Sequence, residues 1–169
     1  MPSDISEDDG FENPLWVFSL RVYGRDSVKA ACLALQDHAG ADVNILLFLC
    51  WLAHCGAAQP SGQDFDRIIQ ATANLRAQVV EPLRRVRRAL PDAAADMDPD
   101  RARRAVLAAE LEGERLIQTI LFQKFANRPK GTGDPGQAIR SYLDRIPGNT
   151  INSEIIDLID RLTSAVQAS

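Results

Sequence analysis

The fold is decided by a stretch that runs from Asp42 to Gly56 and reads DVNILLFLCWLAHCG. At 100° per residue, its apolar side chains point in every direction around a helix axis. A helix that is apolar on all faces belongs inside a protein, so we expect helix 43–55 to be the buried centre of a bundle. Its strictly apolar part, Ile45 to Ala53, has nine residues, whereas a membrane span needs about 20.

Capping residues, glycines and prolines divide the chain into helices. The predicted helices run over about 14–23, 26–38, 43–55, 63–90, 100–126, 136–145 and 154–167. Pro82 lies inside the fourth of these, so we expect a kink or break near Val80. No segment alternates apolar and polar residues with period two over a useful length. The predicted fold is therefore an all-α, single-domain bundle of six or seven helices over residues 13–169, built around helix 43–55.

Composition and charge exclude several classes of protein. With 169 residues, of which 46% are hydrophobic and 25% charged, the chain can form one domain with a sizeable core. Residues 1–12 contain five acids and no base, and we expect them to be a disordered acidic tail. The tail has neither the basic nor the apolar region of a signal peptide. Three cysteines do not fit a disulfide framework, so we expect a soluble protein of the reducing cytoplasm.

Cys50 and His54 raise the question of a metal site. They are four residues apart on one helix face, and both residue types bind metals. A closed zinc site needs four ligands, and the other candidate donors, Cys32 and His38, form no metal-binding spacing with them. Buried cysteine otherwise behaves as a small hydrophobic residue. We therefore predict no bound metal and no other cofactor, with Cys50 and His54 both mostly buried.

Two carboxylates fall within the apolar stripe of helix 100–126. Glu110 and Glu114 are four residues apart, and a buried carboxylate needs a partner or a proton. If helices 63–90 and 100–126 form an antiparallel hairpin closed near Ala94, Arg76 lies level with Gly113, between the two acids. We predict a partly buried network of Arg76 with Glu110 and Glu114, in preference to a metal-binding or catalytic role.

Arginines flank the connection between the same two helices. Only three of the 19 basic residues are lysines, and the planar fork of arginine suits carboxylates and phosphates. The candidates for binding a partner are Arg84, Arg85, Arg88, Arg101 and Arg104, and we expect Arg84, Arg85 and Arg88 largely on the surface. Nucleic acid is the less favoured partner, because the body of the chain is close to neutral and no aromatic residues lie among the arginines.

Three stretches of the sequence are similar to a known set of motifs. They read LWVFSLRVYGRDSVKAACLALQDHAGADVNILLFLCWLA at 15–53, VVEPLRRVRRAL at 79–90 and AAELEGERLIQ at 108–118. In order and spacing they resemble a proteobacterial family of small helical proteins catalogued as a domain of unknown function, with the motifs W-x-F-S-L-x-V-Y and D-V-N-x-L-L. The resemblance covers about residues 15–125. It implies a bacterial cytoplasmic protein and assigns no catalytic residue.

The sequence contains no nucleophile motif, no phosphate-binding loop and no convincing set of metal ligands. We therefore predict a non-enzymatic helical adaptor or regulatory protein that binds another protein. An alternative is a helical bundle that binds a metal or a small apolar ligand near Cys50 and His54 or near Glu110 and Glu114. A weaker alternative is the binding of RNA or DNA through the arginines. The sequence leaves the partner and the oligomeric state open.

Overall fold

The computed structural model describes residues 13–93 and 99–168, and over these residues the chain is all-α. The helices are α1 Pro14–Tyr23, α2 Asp26–Ala39, α3 Val43–His54, α4 Gln63–Leu75, α5 Glu81–Ala93, α6 Asp100–Phe125, α7 Pro135–Leu143 and α8 Ser153–Gln167. A π-helical turn, Arg76–Val80, joins α4 to α5 without a break, so the described helices form seven rods. The predicted all-α fold is confirmed. The predicted acidic tail, residues 1–12, lies outside the described residues.

Side-chain caps explain where several helices begin. Asn13 Oδ1 accepts a hydrogen bond from the backbone N–H of Trp16 at 2.8 Å, and Pro14 occupies the first turn of α1. Asp42 caps α3 in the same way, through the N–H of Asn44 at 2.9 Å. Each cap satisfies a donor that the first turn of a helix leaves unpaired. Both caps are readable in the sequence, which is why the two helix starts agree with the prediction.

Helix α3 lies at the centre of the core. Every residue from position 44 to position 52 is buried, and α1, α2, α6, α7 and α8 all pack against this helix. The predicted buried central helix is therefore confirmed. Within the two described ranges, no helix is long and apolar enough to cross a membrane.

The predicted kink near Val80 is a π-helical turn. Pro82 has no N–H, and in a regular α-helix its ring would clash with the carbonyl group four residues earlier. The helix widens at this point: the N–H of Glu81 donates to the carbonyl of Arg76, five residues back. Because residues in a π turn advance by less than 100° around the axis, α5 is rotated relative to α4. Helix α5 then continues to Ala93, beyond its predicted end.

Helix α6 crosses the π turn at Gly113. A Cβ atom at this position would lie 2.9 Å from a methyl carbon of Val80 and 3.6 Å from one of Val79. The first distance is shorter than a normal contact, so glycine allows α6 to approach the π turn. Glycine costs about 1 kcal/mol of helix propensity relative to alanine, and the close approach explains its presence in the middle of a long helix.

We expect Gly113→Ala to lower the free energy of unfolding by about 1–2 kcal/mol, as measured by urea denaturation. Overpacking against Val80 costs about 1–3 kcal/mol and outweighs the gain in helix propensity. The control is the same change in a Val80→Ala background, where it should become neutral or stabilising. An equal loss in both backgrounds would contradict a close approach of α6 to the π turn.

Candidate functional site

The two carboxylates of α6 meet arginines from α5. Glu110 is only 5% exposed. Arg84 Nε donates to Glu110 Oε1 at 3.2 Å, and Arg84 Nη2 donates to Glu114 Oε1 at 2.7 Å. Arg87 Nε donates to the other oxygen of Glu110, Oε2, at 2.5 Å. These charge-assisted hydrogen bonds hold the two helices of the α5/α6 hairpin together.

The same network reaches the first turn of α3. The side-chain amide of Asn44 donates to Glu114 Oε2, and the oxygen of Asn44 accepts a hydrogen bond from Gln118 Nε2 at 3.0 Å. Asn44 and Gln118 are both buried. The sequence did not predict these two residues as members of the network. The available signal was the position of Asn44 at the start of an otherwise apolar central helix, since a buried polar side chain needs a hydrogen-bond partner.

Glu81 extends the network towards α4. Its Oε1 accepts hydrogen bonds from Arg84 Nη1 at 3.2 Å and from Arg76 Nε at 3.4 Å. Arg76 Nε also lies 3.8 Å from Asp42 Oδ2. A continuous chain of charged and polar groups therefore runs from the N-cap of α3, past the π turn, to the middle of α6.

Two residue assignments made from the sequence are wrong. The arginine that lies between Glu110 and Glu114 is Arg84, which the sequence analysis places on the surface among the partner-binding candidates. Arg76, which it places between these two acids, pairs with Glu81 instead. The predicted internal ion-pair network exists, but Arg84 pairs with the two acids directly, and Arg76 joins the network only through Glu81.

The error has a geometric cause. The hairpin is centred midway between the end of α5 at Ala93 and the start of α6 at Asp100, about two residues beyond the assumed centre. That difference shifts the facing residues by about one helical turn. The π turn also rotates α5 relative to α4. As a result Val80, and not Arg76, lies beside Gly113.

Folding shifts the pKa values of the two carboxyl groups of α6 in opposite directions. Burial raises the pKa of Glu110, but the hydrogen bonds from Arg87 and Arg84 outweigh it and hold that pKa below its ordinary value. Burial also raises the pKa of Glu114, and although the hydrogen bond from Asn44 lowers it, this pKa stays above its ordinary value. A fall in pH should therefore change the contributions of Glu110 and Glu114 to stability in opposite directions.

The outer parts of α5 and α6 carry a group of exposed arginines. No described side chain of α5 is buried, and none of α6 is buried before Glu110. The exposed arginines here are Arg85, Arg88, Arg101, Arg103 and Arg104, and none of these pairs with an acid among the described residues. The exposed aliphatic side chains of the same hairpin include Val86 at 48%, Leu107 at 40% and Leu111 at 47%. We call these eight residues the hairpin surface.

Cys50 and His54 line a small cavity of about 190 Å³ between α3 and α8. Cys50 is buried, and burial raises the pKa of its thiol to about 12. His54, predicted to be buried, is exposed because the last turn of α3 leaves the core, and its ring lies 5.2 Å from that of Phe18. Across the described part of the chain, no three His, Cys, Asp or Glu side chains are grouped so that they could hold a metal ion.

A family model described as a protein of unknown function matches residues 14–121, more than half of the chain. The chain belongs to the DUF2390 family. The DUF2390 match contains α1 to α5 and most of α6, and with them every residue of the ion-pair network. Helices α7 and α8 lie outside the match. No curated protein and no solved structure shows significant similarity to this chain.

Arg84→Ala should lower the free energy of unfolding by about 3–5 kcal/mol, because it leaves a largely buried Glu114 without its cationic partner. The matched control is Arg85→Ala, one residue further along α5 and exposed, which should change the same quantity by about 0.5 kcal/mol at most. Urea denaturation followed by tryptophan fluorescence measures both. Equal losses from the two substitutions would show that Arg84 does not hold the hairpin to the core.

Glu110→Gln and Glu114→Gln should change the pH dependence of stability in opposite directions. The pKa of Glu110 is lowered by folding, so its contribution is present above the unfolded pKa of about 4.3 and is lost as the pH falls through the folded pKa. The pKa of Glu114 is raised, so its contribution is complete below about 4.3 and is lost as the pH rises through the folded pKa.

Unfolding measured from about pH 3 to pH 7 covers both ranges, since the unfolded pKa lies between them. Glu110→Gln should remove a loss of stability at the acid end. Glu114→Gln should remove a decline in the free energy of unfolding that begins near the unfolded pKa and continues towards neutral pH. Two variants with the same change in slope would contradict the opposite pKa directions.

Proposed function

We propose that this protein is a non-enzymatic helical adaptor that binds another protein through the hairpin surface. The observation that carries the proposal is the group of five exposed arginines that make no ion pair with a described acid. These arginines lie on a hairpin whose outer part contributes no buried side chain to the core. A surface of this kind is available for a partner while the core stays intact.

The chemistry of the hairpin surface supports an acidic, amphipathic segment of another protein as the partner. Arginine forks bind carboxylates through two parallel hydrogen bonds. The aliphatic side chains Val86, Leu107 and Leu111 offer apolar area that such a segment would cover. Charged residues around an apolar contact mainly give specificity and a fast association rate, while the buried apolar part supplies affinity.

A protein partner fits this surface better than a nucleic acid does. No aromatic residue occurs in α5 or in the first half of α6, so the surface has no side chain on which bases could stack. The mixture of aliphatic and arginine side chains suits a folded or folding polypeptide. Nucleic acid binding remains the competing outcome of the test below.

The ion-pair network supports a structural rather than a catalytic role for Glu110 and Glu114. Both oxygens of each carboxylate already accept hydrogen bonds from Arg84, Arg87 or Asn44.

Cys32, Cys50 and Cys55 are free thiols, which favours a reducing compartment. We place the adaptor in the bacterial cytoplasm, where its partner would be found.

In-cell photo-cross-linking tests the proposal. A photo-reactive amino acid at Val86 should form a covalent adduct with a specific protein. In the Arg88→Glu/Arg104→Glu background the adduct yield should fall at least tenfold, because like charges across an interface cost several kcal/mol. The melting temperature should stay nearly unchanged, since both arginines are exposed.

The charge control is Arg161→Glu, an exposed arginine of α8 for which no ion pair is described. It should leave the adduct yield unaltered. An equal loss with Arg161→Glu would mean that net charge, and not the hairpin surface, drives binding. An adduct that nuclease digestion removes would identify nucleic acid as the partner and refute the proposal.

A further inference from the structure

A cavity of about 430 Å³ lies between α4, the π turn and the C-terminal end of α7, away from the hairpin surface. Its volume falls within the range of about 300–1,000 Å³ that is usual for small-molecule sites. The aliphatic part of its lining includes Ile45, Ile69, Ile146 and Pro147. Arg76, in the wall of this cavity, belongs to the π turn, and π-helical turns occur frequently at functional sites.

Asp42, which lines this cavity, has one carboxylate oxygen that lacks a hydrogen bond. Asp42 is only 4% exposed, its Oδ1 caps α3 through Asn44, and its backbone N–H donates to Tyr142 Oη at 2.9 Å. Asp42 Oδ2 accepts no hydrogen bond from any described residue. Its nearest cationic atom is Arg76 Nε at 3.8 Å, which is too far for a hydrogen bond.

The charges around this oxygen do not balance. The connected network contains the carboxylates of Asp42, Glu81, Glu110 and Glu114 and the guanidinium groups of Arg76, Arg84 and Arg87. Four acids therefore share three arginines. The oxygen that receives no donor belongs to Asp42, a residue that lines the cavity, so a further positive charge placed there would complete the network.

We propose that this cavity binds a small molecule that carries a primary ammonium group on an aliphatic body. The ammonium group donates to Asp42 Oδ2, and the aliphatic body packs on Ile45, Ile69 and Ile146. Two sources share this chemistry: an alkylamine and an aliphatic amino acid. The terminal nitrogens of Arg76 make no hydrogen bond to another described residue, so they can bind the carboxylate that only the amino acid has.

Isothermal titration calorimetry of the full chain with three probes tests the proposal. The probes are 3-methylbutylamine, which has only the ammonium group, L-leucine, which has both charges, and 4-methylpentanoate, which has only the carboxylate. The two ammonium-bearing probes should bind saturably, and 4-methylpentanoate should bind at least tenfold more weakly than either. Whichever of 3-methylbutylamine and L-leucine binds more tightly shows whether the natural ligand is an alkylamine or an amino acid. Arg76→Gln should weaken the binding of L-leucine alone.

Asp42→Asn is the decisive variant, because asparagine keeps the oxygen that caps α3 and replaces only Oδ2. It should weaken the binding of 3-methylbutylamine and of L-leucine at least tenfold. Ala73→Trp provides a second variant, since Ala73 lines the cavity and is exposed, and the larger side chain should block the cavity while leaving the charged residues in place. The control Arg140→Gln, whose partner is Asp160 outside the cavity, should bind as the wild type does.

Three results would overturn the proposal. They are the absence of saturable heat with both ammonium-bearing probes, equal or tighter binding of 4-methylpentanoate, and unchanged binding of these two probes in either Asp42→Asn or Ala73→Trp. None of these results bears on the hairpin surface, so the cavity and the adaptor function can fail independently.

Discussion

The structure depends on the need to neutralise two carboxylates on the inner face of α6. Glu110 and Glu114 are one helical turn apart, and neither can be buried as an isolated charge. Arg84 meets both of them from α5, and Asn44 meets Glu114 from α3. The position of α5 along α6 and the contact of both with the central helix are therefore set by hydrogen-bond geometry as well as by apolar packing.

A network of this kind specifies geometry more than it adds stability. Burying charged groups costs several kcal/mol per ion before their attraction offsets it, so the apolar core must supply most of the folding free energy. The core does this through α3, where nine consecutive residues are buried. In return, the network permits few other alignments of the hairpin, because a shift of one turn would separate Arg84 from one of the two acids that it contacts. The hairpin can then extend beyond the core and still keep a defined position.

The local rules of helix formation were sufficient to locate most of the elements. Asn13, Asp42 and Asp134 each cap a helix through a side-chain oxygen. These signals depend on neighbours within a few residues, which is why the predicted and observed helix limits are close. The exception is the end of α5, which is predicted at about residue 90, whereas the helix continues to Ala93 through Pro91. The cluster of buried charge was also predictable in kind, since two acids in an apolar stripe require cationic partners.

The sequence by itself determined the all-α class, the central position of α3 and the requirement that Glu110 and Glu114 find arginines. Only the tertiary structure decided which arginine they find. That choice depends on the centre of a hairpin and on the rotation produced by one π turn, and an error of a few residues in either moves a side chain from the inner face to the outer one. The same is true of the cavity beside Asp42, which combines residues from the start of α3, the π turn and the end of α7. Short-range sequence patterns carry no information about such an alignment, because its energy comes from contacts between residues far apart in the chain, such as Asp42 and Tyr142.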